Sequence, residues 1–156
     1  MKKITKALII AVFAMMASLF CAFSNPMLLE EYLNYLQKTL VDHYDGSQEK
    51  NLIKRYELNV TNTGFCRYRR FYNSGKTEYF SFKLSKFKDI DYLGTTKQGK
   101  LILRTVGDDV ILQTYNDKAG DIDSMASSVI IPMKDMEVDD LNKIKSTIIK
   151  INTELN

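Results

Sequence analysis

The chain has 156 residues, with 22 Lys and Arg against 19 Asp and Glu, a single His, two Cys and no Trp. That length suits one domain built on a single core and leaves little room for two. One imidazole and two thiols exclude a zinc site of the usual ligand spacing, and the modest charge excess excludes recognition of nucleic acid by bulk basicity.

The first residues, MKKITK, place Lys2, Lys3 and Lys6 ahead of an apolar run from Ala7 to Phe20 that contains no acid. This is the layout of a secretory signal peptide, and the run, at about 14 residues, is short of the ~20 that span a bilayer. A bacterial lipoprotein site resembles a Leu-like residue three positions before its cysteine, followed by two small residues. Ser18, Leu19 and Phe20 precede Cys21 here, and the large Phe20 departs from that pattern. Ala22 and Ser24 instead form a small-x-small site, which predicts a cut after Ser24 and the loss of Cys21.

Residues 1–24 are therefore expected to be a cleaved leader and residues 25–156 one α+β domain, periplasmic or secreted, with no stable membrane anchor. Removing three leader lysines leaves 19 basic and 19 acidic residues, so the basicity belongs to the leader. Cys66 remains as the one thiol, with no partner for an intramolecular disulfide. Its place in an aromatic strand pattern predicts burial.

Asn25 and Pro26 have the chemistry of a helix start, a side-chain cap followed by a ring preset for the first helical position. Leu29, Leu33, Leu36 and Leu40 then form one apolar stripe, and the helix is expected to end near Tyr44, before Asp45-Gly46-Ser47. From Lys54 the period falls to two. Tyr56, Leu58 and Val60 alternate with charged or amide residues, a turn at residues 61–64 leads into FCRYRRFY, and Asn73-Ser74-Gly75 predicts a hairpin into KTEYFSFKL. DIDYLG, KLILRTV, VILQTYN and SSVIIPM read as further short strands. After Pro132 the residues Leu141, Ile144, Ile148, Ile151 and Leu155 form a second helical stripe, with Asp139 and Asp140 in its first turn.

The expected fold is thus an N-terminal helix, about seven antiparallel strands forming a sheet or curved barrel, and a C-terminal amphipathic helix. Over roughly residues 52 to 155 this element order is similar to the pleckstrin-homology-like architecture. The resemblance rests on order alone, without a residue motif, and implies no ligand.

RYRRFY is the stretch richest in chemistry. Strand alternation sends Arg67 and Arg69 one way with Phe65 and Phe71, and Tyr68, Arg70 and Tyr72 the other way with Cys66. Guanidinium groups beside rings suit carboxylate, phosphate or anionic sugar, which makes Arg67, Tyr68, Arg69, Arg70 and Tyr72 the expected binding residues and an anionic envelope ligand or a protein the expected partner. The alternative is a charged sheet face neutralised by acidic segments elsewhere. Residues 50–104 carry 13 basic and 4 acidic residues, residues 105–156 carry 5 and 10, and residues 25–49 carry 1 and 5.

His43 lies between Asp42 and Asp45, but no Ser or Cys nucleophile stands at a spacing that pairs with it, and a histidine at a helix end is ordinarily a dipole partner. Asp89 and Asp91 share a strand face as solvated acids rather than as an acid–base pair. Asp117, Asp121 and Asp123 resemble the start of a calcium loop, yet Met125 and Ala126 stand where a ligand and a glycine belong. No metal or cofactor is expected, and no enzymatic activity. Ser124, in Asp-Ser-Met, matches an O-glycosylation acceptor of exported proteins; Asn59-Val60-Thr61 matches an N-glycosylation sequon but falls within a strand.

The expectation is an exported, non-enzymatic binding domain. One alternative is an inhibitor or immunity-type protein that steers a basic envelope enzyme onto Asp117, Asp121, Asp123, Asp139 and Asp140. Another is a carrier enclosing a small amphiphile among Phe80, Phe82, Tyr92 and Leu103.

Overall fold

The computed structural model describes residues 28–49 and 52–155. The leader, the cut after Ser24, Cys21 and the helix start at Asn25 and Pro26 lie outside the described residues. The fold is α+β, with a helix at each end of a run of antiparallel strands.

Helix α1 spans Leu29–Asp42 and begins with the Leu28 N–H donating to the Glu31 carboxylate at 2.9 Å. Its buried residues Leu33, Leu36 and Leu40 are the predicted stripe. The strands are β1 (Ile53–Val60), β2 (Phe65–Tyr72), β3 (Thr77–Lys83), β4 (Phe87–Gly94), β5 (Gln98–Thr105), β6 (Val110–Tyr115), β7 (Asp123–Ala126) and β8 (Ser128–Lys134), followed by helix α2 (Val138–Leu155). They make two sheets, β1-β2-β3-β6-β7 and β4-β5-β8.

The sequence pattern yields about seven strands, and the described residues form eight. The additional one is β7, four residues that are exposed apart from half-buried Ala126, so no alternation of apolar residues marks it. It is held by backbone pairing with β6, Val110 opposite Ala126 and Gln113 opposite Asp123. The division into two sheets is likewise invisible in any one segment, because it depends on which strands pair across long loops.

One core joins the elements. Leu58, Cys66, Tyr68 and Phe82 of the larger sheet meet Leu101, Leu103, Val129, Ile131 and Met133 of the smaller one and Ile144, Ile148 and Ile151 of α2. Burying each such aliphatic or aromatic side chain contributes about 1.5–3 kcal/mol. At the turn between β1 and β2, Gly64 has φ +75°, and a Cβ there would come within 2.4 Å of the Leu155 Cδ1. Glycine therefore serves twice at that turn, in adopting a left-handed conformation and in letting the end of α2 approach.

Two polar devices fix the N-terminal helix to the sheets. The Gln37 side-chain amide donates to the Leu58 carbonyl at 2.8 Å and its oxygen accepts from the Val60 N–H, so α1 covers backbone groups of edge strand β1. Beyond the helix, Tyr44 bridges to Met133, the Asp45 N–H donates to the Pro132 carbonyl at 3.0 Å, and the Lys134 N–H donates to the His43 carbonyl at 2.8 Å.

Candidate functional site

Strand β2 divides its residues between two environments. On the inner face Tyr68 is 1% exposed, and its hydroxyl lies 3.0 Å from that of Tyr44, whose ring stacks on Tyr56 with centroids 3.6 Å apart. Burial and the shared hydrogen bond push the Tyr68 hydroxyl far above its ordinary range, so it stays neutral. Tyr68 is thus part of the core, unable to meet a ligand without unfolding.

Arg70 and Tyr72, further along the same face, belong to a half-buried ion cluster. Arg70 Nη1 lies 3.0 Å from a Glu49 carboxylate oxygen and its Nη2 contacts Glu78; Tyr72 donates to Glu78 at 2.8 Å. Lys76 bridges Glu78 at 2.9 Å and Asp117 at 2.8 Å. Burial alone would raise the Glu78 carboxyl, but Lys76, Arg70 and Tyr72 outweigh it and hold that group below its ordinary value. Burial, reinforced by the Glu78 hydrogen bond, pushes Tyr72 up to about 12. The Arg70 guanidinium carbon also sits 5.4–5.8 Å from the ring centres of Phe80, Tyr72 and Tyr68. With both terminal nitrogens committed to carboxylates, Arg70 ties the β2–β3 hairpin to the segment after α1.

Arg67 and Arg69 take the opposite, outer face. Cross-strand register sets Arg55 beside Phe71, Glu57 beside Arg69, Arg69 beside Tyr79 and Phe65 beside Lys83. The result is a ladder of cations on rings. Arg55 lies 3.8 Å from the centre of Phe71, Arg69 lies 5.2 Å from Tyr79 and 5.8 Å from Phe71, and Arg67 and Lys83 lie 5.4 and 5.5 Å from Phe65. Glu57 pairs with both Arg55 and Arg69, whereas exposed Arg67 has no carboxylate partner among the described residues. The ladder presents four cations and one acid, held by rings that limit how far the guanidinium groups can swing. Arg55 and Lys83 were outside the predicted site, because pairing across strands, rather than proximity along the chain, adds them.

The remaining expectations fall as follows. His43 donates from Nδ1 to the Lys134 carbonyl at 3.0 Å, at the junction of α1 and β8. Asp89 pairs with Lys145 at 2.7 Å and Asp91 with Arg104 at 2.5 Å, so each faces its own cation. The three loop carboxylates diverge: Asp117 turns to Lys76, Asp121 accepts the Asp117 N–H at 2.9 Å, and Asp123 accepts from Gln113 at 3.3 Å. Asp140 accepts the Glu137 N–H at 3.1 Å at the start of α2, beside Asp139. Ser124 is exposed, on β7 rather than in a loop, and Asn59-Val60-Thr61 closes β1 and enters the turn. Cys66 is buried in the core, and burial pushes its thiol up to about 12. Of the side chains expected to enclose an amphiphile, Phe82 and Leu103 are packed in the core, Tyr92 lies against Gly99, and Phe80 reaches a cleft between the sheets. That cleft has a volume of about 610 Å³ and runs between Arg70, Phe80 and Leu112 on one side and Ser128, Ile130 and Pro132 on the other.

Among the described residues no helix is long and apolar enough to cross a membrane, and no group of three or more metal-ligating side chains converges. No family model, curated protein or solved structure matches the chain.

Proposed function

We propose that the mature chain, exported and cut after Ser24, is a non-enzymatic binding domain of the periplasm or the extracellular space. Its contact surface is the outer face of β1, β2 and β3. Arg67, Arg69, Arg55 and Lys83 recognise carboxylate, sulfate or phosphate oxygens, and Phe65, Phe71 and Tyr79 supply stacking area. The observation that carries this reading is the seating of three guanidinium groups over rings on the solvent side, with no carboxylate on Arg67 among the described residues.

Charge-assisted hydrogen bonds to a guanidinium are worth about 1.5–3 kcal/mol each, and the rings reduce the freedom lost on binding. Arg70 and Tyr72 contribute to the frame that holds β2, and Tyr68 to the core beneath it. The pleckstrin-homology-like order of strands then helix enters only as an analogy of chain order.

The test is a titration of labelled protein with dextran sulfate, followed by amide NMR. Shifts confined to the outer residues of β1 to β3 support the proposal. Shifts confined to α2 or to the β4-β5-β8 sheet overturn it.

A further inference from the structure

The cleft between the two sheets lies apart from the outer face of β1 to β3. The chain steps from β7 to β8 through Ser127 alone, and its even residues Ala126, Ser128, Ile130 and Pro132 all line the opening. The odd residues Val129, Ile131 and Met133 go into the core. One ribbon thus seals the hydrophobic interior with one face and offers the other to a space of about 610 Å³, within the range of small-molecule pockets, ~300–1,000 Å³.

The lining is both apolar and charged. Phe80, Leu112, Ala126 and Ile130 form an apolar stretch, and Ile130 remains 49% exposed despite its position between sheets. The same lining includes Gln48, Glu49, Arg70 and Lys100; Lys100 is directly opposite Pro132 in the β5–β8 register, and Gln48 donates to the neighbouring Gly99 carbonyl at 3.0 Å. Glu49 is engaged with Arg70, whereas Lys100 is exposed and has no ion pair among the described residues. A wall with one uncompensated positive charge asks for an anionic head, and the apolar surface asks for a hydrocarbon tail.

We infer that the cleft binds a small amphiphile with a single carboxylate head, the head held by Lys100 beside Gln48 and the tail laid between Phe80, Leu112 and Ile130.

The experiment is a two-dimensional NMR titration of the folded, mature protein with decanoate, decanol and decyltrimethylammonium, each kept below its micelle concentration. The expected result is saturable binding of decanoate, with shifts centred on Phe80, Leu112, Lys100 and Ile130, and affinity at least about tenfold above either of the other two probes. Lys100→Glu is expected to remove that preference. Ile130→Glu, a substitution at a half-exposed position whose fold is checked by its own spectrum, is expected to abolish binding of all three. Arg67→Ala with Arg69→Ala is expected to leave decanoate binding unchanged, which separates this site from the outer face. Equal binding of all three probes, shifts confined to the outer ladder, or retention of the decanoate preference in Lys100→Glu would each overturn the inference.

Discussion

The hydroxyls of Tyr44 and Tyr68 meet at 3.0 Å inside the core, one from the residue just beyond α1 and the other from the middle of β2. Neither ring is more than 5% exposed, so water cannot replace the missing partner if one hydroxyl is removed. Tyr68→Phe is expected to destabilise the protein by about 1–3 kcal/mol, the cost of an unserved buried hydroxyl. Tyr44→Phe with Tyr68→Phe removes both hydroxyls, and its cost is expected to be less than the sum of the two single changes. Urea unfolding of the three variants measures the coupling.

The same burial sets an alkaline limit. Burial raises Cys66 from 9.0 to about 12 and Tyr72 from 10.0 to about 12, and it raises Tyr44 and Tyr68 as well. Each group holds its proton more tightly folded than unfolded, so its contribution is complete below the unfolded value and is lost as pH rises through the folded one. Stability is expected to fall from about pH 9 upward, first through Cys66 and then through the tyrosines. Thermal unfolding between pH 7 and 11 checks this, and Cys66→Ala is expected to flatten the first part of the decline. Its offset at pH 7 reports the cavity separately.

Glu78 and Glu57, which pair with β2 arginines on opposite faces, differ in weight. Glu78 is 13% exposed and serves Arg70, Lys76 and Tyr72, whereas Glu57 is 34% exposed and pairs with Arg55 and Arg69 at the surface. Glu78→Ala leaves Arg70 with Glu49 alone and Lys76 with Asp117 alone, and strips Tyr72 of its acceptor, and is expected to cost about 1–3 kcal/mol. Glu57→Ala is expected to cost under about 1 kcal/mol and to strengthen binding of polyanions at the outer face. Urea midpoints and dextran sulfate titration separate these effects.

Gln37 acts on the free edge of β1 as a neighbouring strand would, with both donor and acceptor engaged. Gln37→Ala is expected to cost about 1–2 kcal/mol and to expose the Leu58 carbonyl and the Val60 N–H to pairing with another chain. Light scattering against concentration is expected to show association that the parent protein lacks.

Local chemistry was legible in the sequence where a period or a turn signal carried it. The leucines of α1, the isoleucines of α2, the Asn73-Ser74-Gly75 hairpin and the opposite facing of Arg67 and Arg70 all follow from spacing. Partners were not legible. Glu49, Glu78 and Asp117 converge around Arg70 and Lys76 from three separate segments, and no spacing rule foretells that meeting. Tyr68 shows the limit most sharply, since alternation gives its face, but only the closure of α1 and the sheets over that face makes it core. The cleft escaped for the same reason: Ala126, Ser128, Ile130 and Pro132 share a face by simple alternation, but what stands opposite them is set by sheet pairing across the whole chain.

The central claim is that the outer ladder, rather than charge in general, recognises anions. The most direct measurement compares dextran sulfate affinity, over a range of salt, for two variants that lose equal charge. One is Arg55→Ala, Arg67→Ala and Arg69→Ala; the other is Lys88→Ala, Lys118→Ala and Lys143→Ala at exposed positions elsewhere. The account predicts that the arginine variant loses at least about tenfold in affinity while the lysine variant stays within about twofold of the parent. Equal losses in the two variants would contradict it, because binding would then follow net charge alone.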